Sequence, residues 1–112
     1  MTNKKIKHRY DSIPYESCAF IQTHPEHLAV IGKLFGFLPV AADNCRVLEL
    51  GCGSGSNCIP MAGNLPNSTF IGLDISSKQI DMGQYMINSL GLKNITLTQA
   101  DIASYDFIDE KF

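Results

Sequence analysis

The stretch VLELGCGSGSN, Val47 to Asn57, ends an apolar run in three glycines at alternate positions, Gly51, Gly53 and Gly55. RVLEL, apolar almost throughout, has the pattern of a parallel strand buried on both faces. Glycines directly behind a strand permit backbone angles that other residues avoid, and they lack the Cβ that would hold another group away. The feature therefore marks the first β-to-α turn of an α/β sheet, where open sheets of this class bind ligands at the carboxyl ends of their strands.

The rest of the chain is punctuated to match. THPEHLAVIGKLFG carries a capping box, Thr23 at the cap and Glu26 three residues on, with Lys33 in the last turn and Gly36 as a stop. Leu28, Ile31 and Phe35 recur between them at helical spacing, which predicts an amphipathic helix over residues 24–35. After the glycine loop, SNCIPMAGNL reads as a helix with Pro60 near its start. STFIGLDI reads as a second strand and NITLTQAD as a third. Between them SSKQIDMGQYMINSLG is a helix with the box Ser76/Gln79, an apolar face including Ile80 and Ile87, and Gly91 as its stop. Helix, β, α, β, α, β predicts a doubly wound parallel α/β sheet, for which 3-2-1 is the order expected of an open sheet of this class.

Composition limits what such a sheet can serve. With 112 residues, about 45% of them apolar, the chain forms one domain at most. A net charge of -2 gives no general attraction to nucleic acid or acidic membranes. The basic cluster Lys4, Lys5, Lys7 and Arg9 reads as a solvated terminus, and no apolar run follows it as in a secretory signal. Nothing approaches the roughly 18 apolar residues of a membrane span. Cys18, Cys45, Cys52 and Cys58 form no C-x-x-C pair, which suits reduced thiols in a cytoplasm. His24 and His27 have H-x-x-H spacing but no thiol or carboxylate cluster beside them, so they read as solvated and no metal is expected.

The glycine loop leaves two readings, a tight turn without a ligand or a loop whose backbone touches one. Spacing separates the ligands. The dinucleotide fingerprint wants glycine where Ser56 stands, and no lysine or arginine lies between Val47 and Phe70 to serve a Walker loop. Glu49 precedes the loop, while Asp74 and Asp101 close the second and third strands. With neighbouring strands about 4.8 Å apart, these carboxylates form an acidic rim roughly 10 Å long. Such a rim repels a pyrophosphate and suits a cationic ligand with ribose hydroxyls and an exocyclic amine. S-adenosylmethionine (AdoMet) has all three features.

VLELGCGSGSN, FIGLDIS and TQADI, in this order and at these separations, resemble the first three motifs of class I AdoMet-dependent methyltransferases over about Arg46 to Ile102. The resemblance implies a Rossmann-like fold, cut before its fourth strand, and roles for individual residues. Gly51, Gly53 and the neighbouring loop backbone, Cys52 and Gly55 included, would lie against the methionyl part of AdoMet, with Glu49 near its amino end. Asp74 would accept from both ribose hydroxyls and Ile75 would pack on the adenine. Asp101 would hold the adenine amine, with Ile102 beside the ring. The lead-in YDSIPYESCAFIQTHPEHLAVIGKLFG is similar to the segment before the first motif in bacterial methyltransferases that carry a methyltransferase regulatory domain, some of which methylate protein lysines. Residues 1–36 are thus expected to be a lead-in with its helix, and residues 37–112 the N-terminal half of the AdoMet-binding domain.

Other readings stay open. Asp74 could cap a helix, and Asp101 could simply end a strand. Tyr10 and Tyr15 could close over the cofactor or serve packing alone, and Cys52 and Cys58 could be small buried apolar residues. In class I methyltransferases the acceptor site is built largely by the fourth and later strands, so neither a methyl acceptor nor a catalytic base is identified. Two functions remain: half of a methyltransferase, for which the lead-in suggests a protein acceptor, or a non-catalytic AdoMet-binding or assembly module. An NAD-dependent enzyme is a distant third because Ser56 breaks its fingerprint. In the order 3-2-1-4 the strand 46–50 would lack its outer neighbour, and the isolated chain is expected either to self-associate through that edge or to be only marginally stable.

Overall fold

Strands β1 (Arg46–Leu50), β2 (Thr69–Asp74) and β3 (Ile95–Gln99) pair in parallel in the order β1-β2-β3, which is the 3-2-1 order expected. These come from a computed structural model that describes residues 3–13, 16–107 and 111–112. Arg46 stands opposite Thr69, Glu49 opposite Gly72, and Asp74 opposite Gln99. That register brings the ends of all three strands to one edge of the sheet.

Helices α1 (Asn3–Ser12) and α2 (Pro25–Leu34) precede the sheet, and α3 (Cys58–Asn64) and α4 (Ser77–Leu90) are the crossovers. The hydroxyl of Ser76 caps α4 by accepting from the Gln79 amide at 3.3 Å, and Gly91 ends the helix in the left-handed conformation. Thr23 does not cap α2. Pro25 sets the first helical position and moves the start one residue on, so His24 Nδ1 accepts from the Glu26 amide at 3.2 Å. Thr23 instead belongs to a short 3-10 turn, Ile21–Thr23, where its hydroxyl donates to the Phe20 carbonyl at 2.7 Å.

The core lies between the sheet and the two crossover helices. Phe70, Ile95 and Leu97 on the strands pack with Cys58, Ile59, Met61 and Ala62 of α3 and with Ile80 and Ile87 of α4. Asn94 closes the far end: its side-chain amide donates to the carbonyls of Ala62, Leu65 and Ser68 at 2.9–3.0 Å. Two expectations about the outer side differ from the structure. Strand β1 is half-buried rather than covered on both faces, and among the described residues it pairs with β2 alone. Helix α2 is amphipathic, yet Leu28, Ile31 and Phe35 remain exposed. Helix α1 lies against α4, away from the β1 edge, where the Arg46 guanidinium sits 5.0 Å from the Phe112 ring centroid. Among the described residues no helix is long and apolar enough to cross a membrane.

Gly83, in the middle of α4, is where this helix meets the glycine loop. A Cβ there would come within 2.3 Å of Leu97 Cδ1 and 2.5 Å of the Ser54 carbonyl oxygen. Alanine would add about 1 kcal/mol of helix propensity, but overpacking against backbone costs about 1–3 kcal/mol. Gly83→Ala is therefore expected to lower the urea midpoint of unfolding. A midpoint at or above the parent's would show that the Ser54 loop moves aside freely.

Candidate functional site

The turn after β1 is held by the end of β2. The Leu73 carbonyl accepts from the amides of both Gly51 and Cys52, at 2.8 and 2.9 Å. Gly51 and Gly53 have φ of +73° and +56°, in the region where a side chain is strained. The Gly53 amide then donates to Asp74 Oδ2 at 2.8 Å, while Asp74 Oδ1 accepts from the Ser76 amide at 2.9 Å. Asp74 is buried, and each of its oxygens keeps a lone pair beyond these bonds.

A crevice of about 240 Å³ opens at this edge, lined by Gly51, Asp74, Ile75, Asp101, Ile102 and Ala100, with Asn3, Ile6 and Tyr10 of α1 on its outer side. Five of the nine residues singled out in the sequence thus meet at one cavity. Asp101 accepts from the Ala103 amide through Oδ1 at 3.0 Å and from the Asn3 side-chain amide through Oδ2. The other four do not line it. Cys52 and Gly55 face the core: the Cys52 side chain packs beneath Gly72, and a Cβ at Gly55 would touch Ile59 and Leu97 at 3.0 Å. Gly53 faces the lead-in, where a Cβ would lie 3.3 Å from Ser17 Oγ. A substitution at Gly53 therefore meets this segment and its own strained φ, besides any effect on a ligand.

Glu49 lies behind the loop. Its Oε1 accepts from Asn57 Nδ2 at 3.1 Å, and its Oε2 is buried without a hydrogen-bond partner among the described residues. An orphaned carboxylate oxygen is costly in such a place, and a cationic donor would satisfy it. Asn57 also joins the loop to the lead-in: its Oδ1 accepts from the Phe20 amide at 2.7 Å and its Nδ2 donates to Thr23 Oγ1 at 3.0 Å. Sequence reasoning passed over Asn57, as it did Asn3, Ile6 and Asp11. Asn57 stood inside the glycine motif, and its polar amide at the mouth of an apolar helix was the signal available. Of the two tyrosines considered for a lid, Tyr10 lines the crevice and Tyr15 lies outside the described residues.

A larger open groove of about 730 Å³ runs between α2 and α3, lined among others by Phe20, His24, His27, Val30, Asn57 and Met61. It contains none of the loop glycines and neither Asp74 nor Asp101. The smaller crevice is the candidate site because the strand ends, the left-handed Gly51 and the carboxylates of Asp74 and Asp101 converge there. Among the described residues no group of three His, Cys, Asp or Glu side chains is gathered as a metal site would need.

A parallel α/β sheet with an acidic, glycine-lined crevice at its first switch of strand to helix defines a class of nucleoside-binding folds. Comparison with known proteins narrows the class. A family model described as a methyltransferase domain matches residues 41–112, and the chain belongs to this family. Two uncharacterized proteins of Rickettsia prowazekii are 42% identical over 92% of the chain and 37% identical over all of it. The chain spans 19% and 45% of their respective lengths. The structure of PKMT2 from Rickettsia typhi in complex with AdoHcy is 36% identical, with a TM-score of 0.82 over 88% of this chain and 19% of that one. Magnesium protoporphyrin IX methyltransferase from Synechocystis, at 21% identity and a TM-score of 0.58 over 93% of this chain and 56% of that one, shares the fold.

Cys52 and Cys58 are buried beside these groups. Burial, then the charges of Asp74 and Glu49, pushes the Cys52 thiol up to about 12, and burial with the Glu49 charge raises Cys58 further. Both thiols are therefore protonated near pH 8, and the thiolate is the reactive form. A thiol reagent at about that pH is expected to modify exposed Cys18 first and to reach Cys52 and Cys58 only after denaturant is added. Peptide mapping reads the order. Early labelling of Cys52 would mean that the loop opens in the native state.

Proposed function

We propose that this chain binds AdoMet in the crevice at the strand ends and works as the donor half of a larger methyltransferase. The observation that carries the reading is the acidic crevice at the strand ends, where Asp74 and Asp101 stand beside the open side of Gly51; the buried Glu49 Oε2 behind the loop adds to it. AdoMet brings a cationic amino group, a sulfonium, two ribose hydroxyls and an adenine amine, and these are the groups that such carboxylates satisfy. Likeness to a PKMT2 structure holding AdoHcy supports the same choice.

In this reading Glu49 takes the amino end, and the open side of Gly51 leaves room for the methionyl chain, since a Cβ there would meet nothing within 4 Å. Asp74, already fixed by the Gly53 and Ser76 amides, turns its remaining lone pairs to the ribose hydroxyls. Ile75 and Ile102 flank the adenine, and Asp101 receives its amine in place of, or beside, the Asn3 amide. Bound AdoMet supplies a methyl group on a sulfonium that departs as a neutral thioether. The chain's contribution is to hold that donor in line and to screen it from water, which lowers the barrier through orientation.

The acceptor in this proposal is a protein side chain, supported by the resemblance of the lead-in and by the 36% identity to PKMT2. The four free thiols fit a cytoplasmic location. Self-association also belongs to the proposal: the outer edge of β1 is unpaired among the described residues, and Leu34, Phe35, Phe37 and Leu38 are exposed nearby in the chain. A second reading is an AdoMet-holding module without turnover.

Calorimetric titration with AdoMet, AdoHcy and NAD tests the cofactor. Saturable binding of the first two alone is expected, and binding of NAD alone would sink the reading. Asp74→Ala is expected to weaken AdoHcy binding by about 1.5–3 kcal/mol, through lost charge-assisted bonds and a loosened loop. Parental affinity would remove Asp74 from the site. The isolated 112-residue chain is expected to self-associate in sedimentation and to transfer no methyl group to protein. A stable monomer with turnover above background would overturn both expectations. Methyl transfer by a chain extended past Phe112 separates the enzyme from the non-catalytic module.

A further inference from the structure

We infer that Asp11 is a positioning residue, which docks helix α1 across the crevice and makes Ile6 and Tyr10 its outer wall. The inference rests on the AdoMet reading above, and it assigns a role to a segment that precedes every motif used for that reading.

Helix α1, NKKIKHRYDS, buries none of its residues, so apolar packing does little to hold it. What fixes it is polar and sits at its two ends. At the C-terminal end Asp11 Oδ1 accepts from the Ser76 hydroxyl at 2.6 Å and from the Lys78 amide at 3.2 Å, and Oδ2 accepts from the Ser77 hydroxyl at 3.1 Å. These three donors form the first turn of α4, where unpaired amides and the helix dipole favour a carboxylate. At the other end the Asn3 side-chain amide donates to Asp101 beyond β3. Asn3 and Asp11 lie eight residue steps apart along the helix, a span of about 12 Å. The helix therefore bridges from the β2–α4 side of the crevice to the β3 side, with Ile6 and Tyr10 facing the cavity between.

The Asp11 contact is continuous with the site. Ser76 donates its hydroxyl to Asp11, its amide to Asp74, and accepts from the Gln79 amide. One residue thus links the anchor of α1 to the carboxylate assigned to the ribose. The Ser76 hydroxyl, with the Lys78 amide and the Ser77 hydroxyl, also holds the Asp11 carboxyl below its usual range despite some desolvation, so the anchor is ionised at neutral pH. A ligand in the crevice touches the wall that Asp11 docks. Docking and binding must then strengthen each other by the same factor.

The test uses the 112-residue chain, AdoHcy as probe, calorimetry for affinity and hydrogen exchange for α1. Asp11→Ala is expected to weaken AdoHcy about tenfold, the loss typical of hydrogen bonds to a charged group. The urea midpoint should stay near the parent's, because no α1 residue is buried. Asp11→Asn keeps one acceptor oxygen and should recover part of the affinity. AdoHcy should slow exchange over residues 3–13 in the parent and leave Asp11→Ala unprotected there. Parental affinity, or equal protection, in Asp11→Ala would overturn the inference. If the parent fails to bind AdoHcy, the cofactor reading falls on its own. Exchange over residues 3–13 without ligand then decides on Asp11: faster in Asp11→Ala if it anchors the helix, unchanged if it does not.

Discussion

The carboxylate of Asp74 is the contact on which the candidate site depends. A loop with left-handed glycines has little intrinsic preference for one shape, and its entropy opposes ordering. Two neighbouring groups at the end of β2 impose the shape. The Leu73 carbonyl gathers the amides of Gly51 and Cys52, and Asp74 gathers those of Gly53 and Ser76. The same side chain therefore joins the glycine loop, the start of α4 and the crevice wall. Because it is buried with two backbone donors, it is oriented before any ligand arrives, which reduces the cost of binding.

The lead-in is fastened to this frame at two places by polar side chains. Asp11 ties α1 to the start of α4, and Asn57 ties the Phe20–Thr23 turn to the glycine loop and to Glu49. Both fastenings lie at the ligand edge of the sheet. The β1 side is organised differently: α2 keeps apolar side chains exposed, and β1 has no outer strand among the described residues.

The region matched by the methyltransferase-domain family, residues 41–112, contains the sheet, both crossover helices and the crevice floor, while α1, α2 and the Phe20–Thr23 turn precede it. Similarity to PKMT2 from Rickettsia typhi covers 88% of the chain and so reaches into that lead-in. The relatives are longer proteins, with this chain spanning 19% and 45% of the two from Rickettsia prowazekii.

Local chemistry made the elements readable from the sequence. RVLEL, the box at Ser76, the stop at Gly91 and the alternation of strand and helix each act over a few residues, so the elements and their crossovers followed. The acidic ends Asp74 and Asp101 were readable for the same reason, since parallel strands must bring their carboxyl ends to one edge. What lay beyond local range was decided by tertiary contacts. Thr23 lost the cap of α2 to His24 because Pro25 fixes the first helical position and Asn57 engages the Thr23 hydroxyl. Cys52, Gly53 and Gly55 turned away from the crevice because Gly72, Ser17, Ile59 and Leu97 surround them. Asp11 gained its place only when the fold set α1 beside the first turn of α4, sixty-five residues further along the chain at Ser76. Spacing within a motif reports the period of one element, whereas a contact between distant segments is set by how the packed elements meet in space.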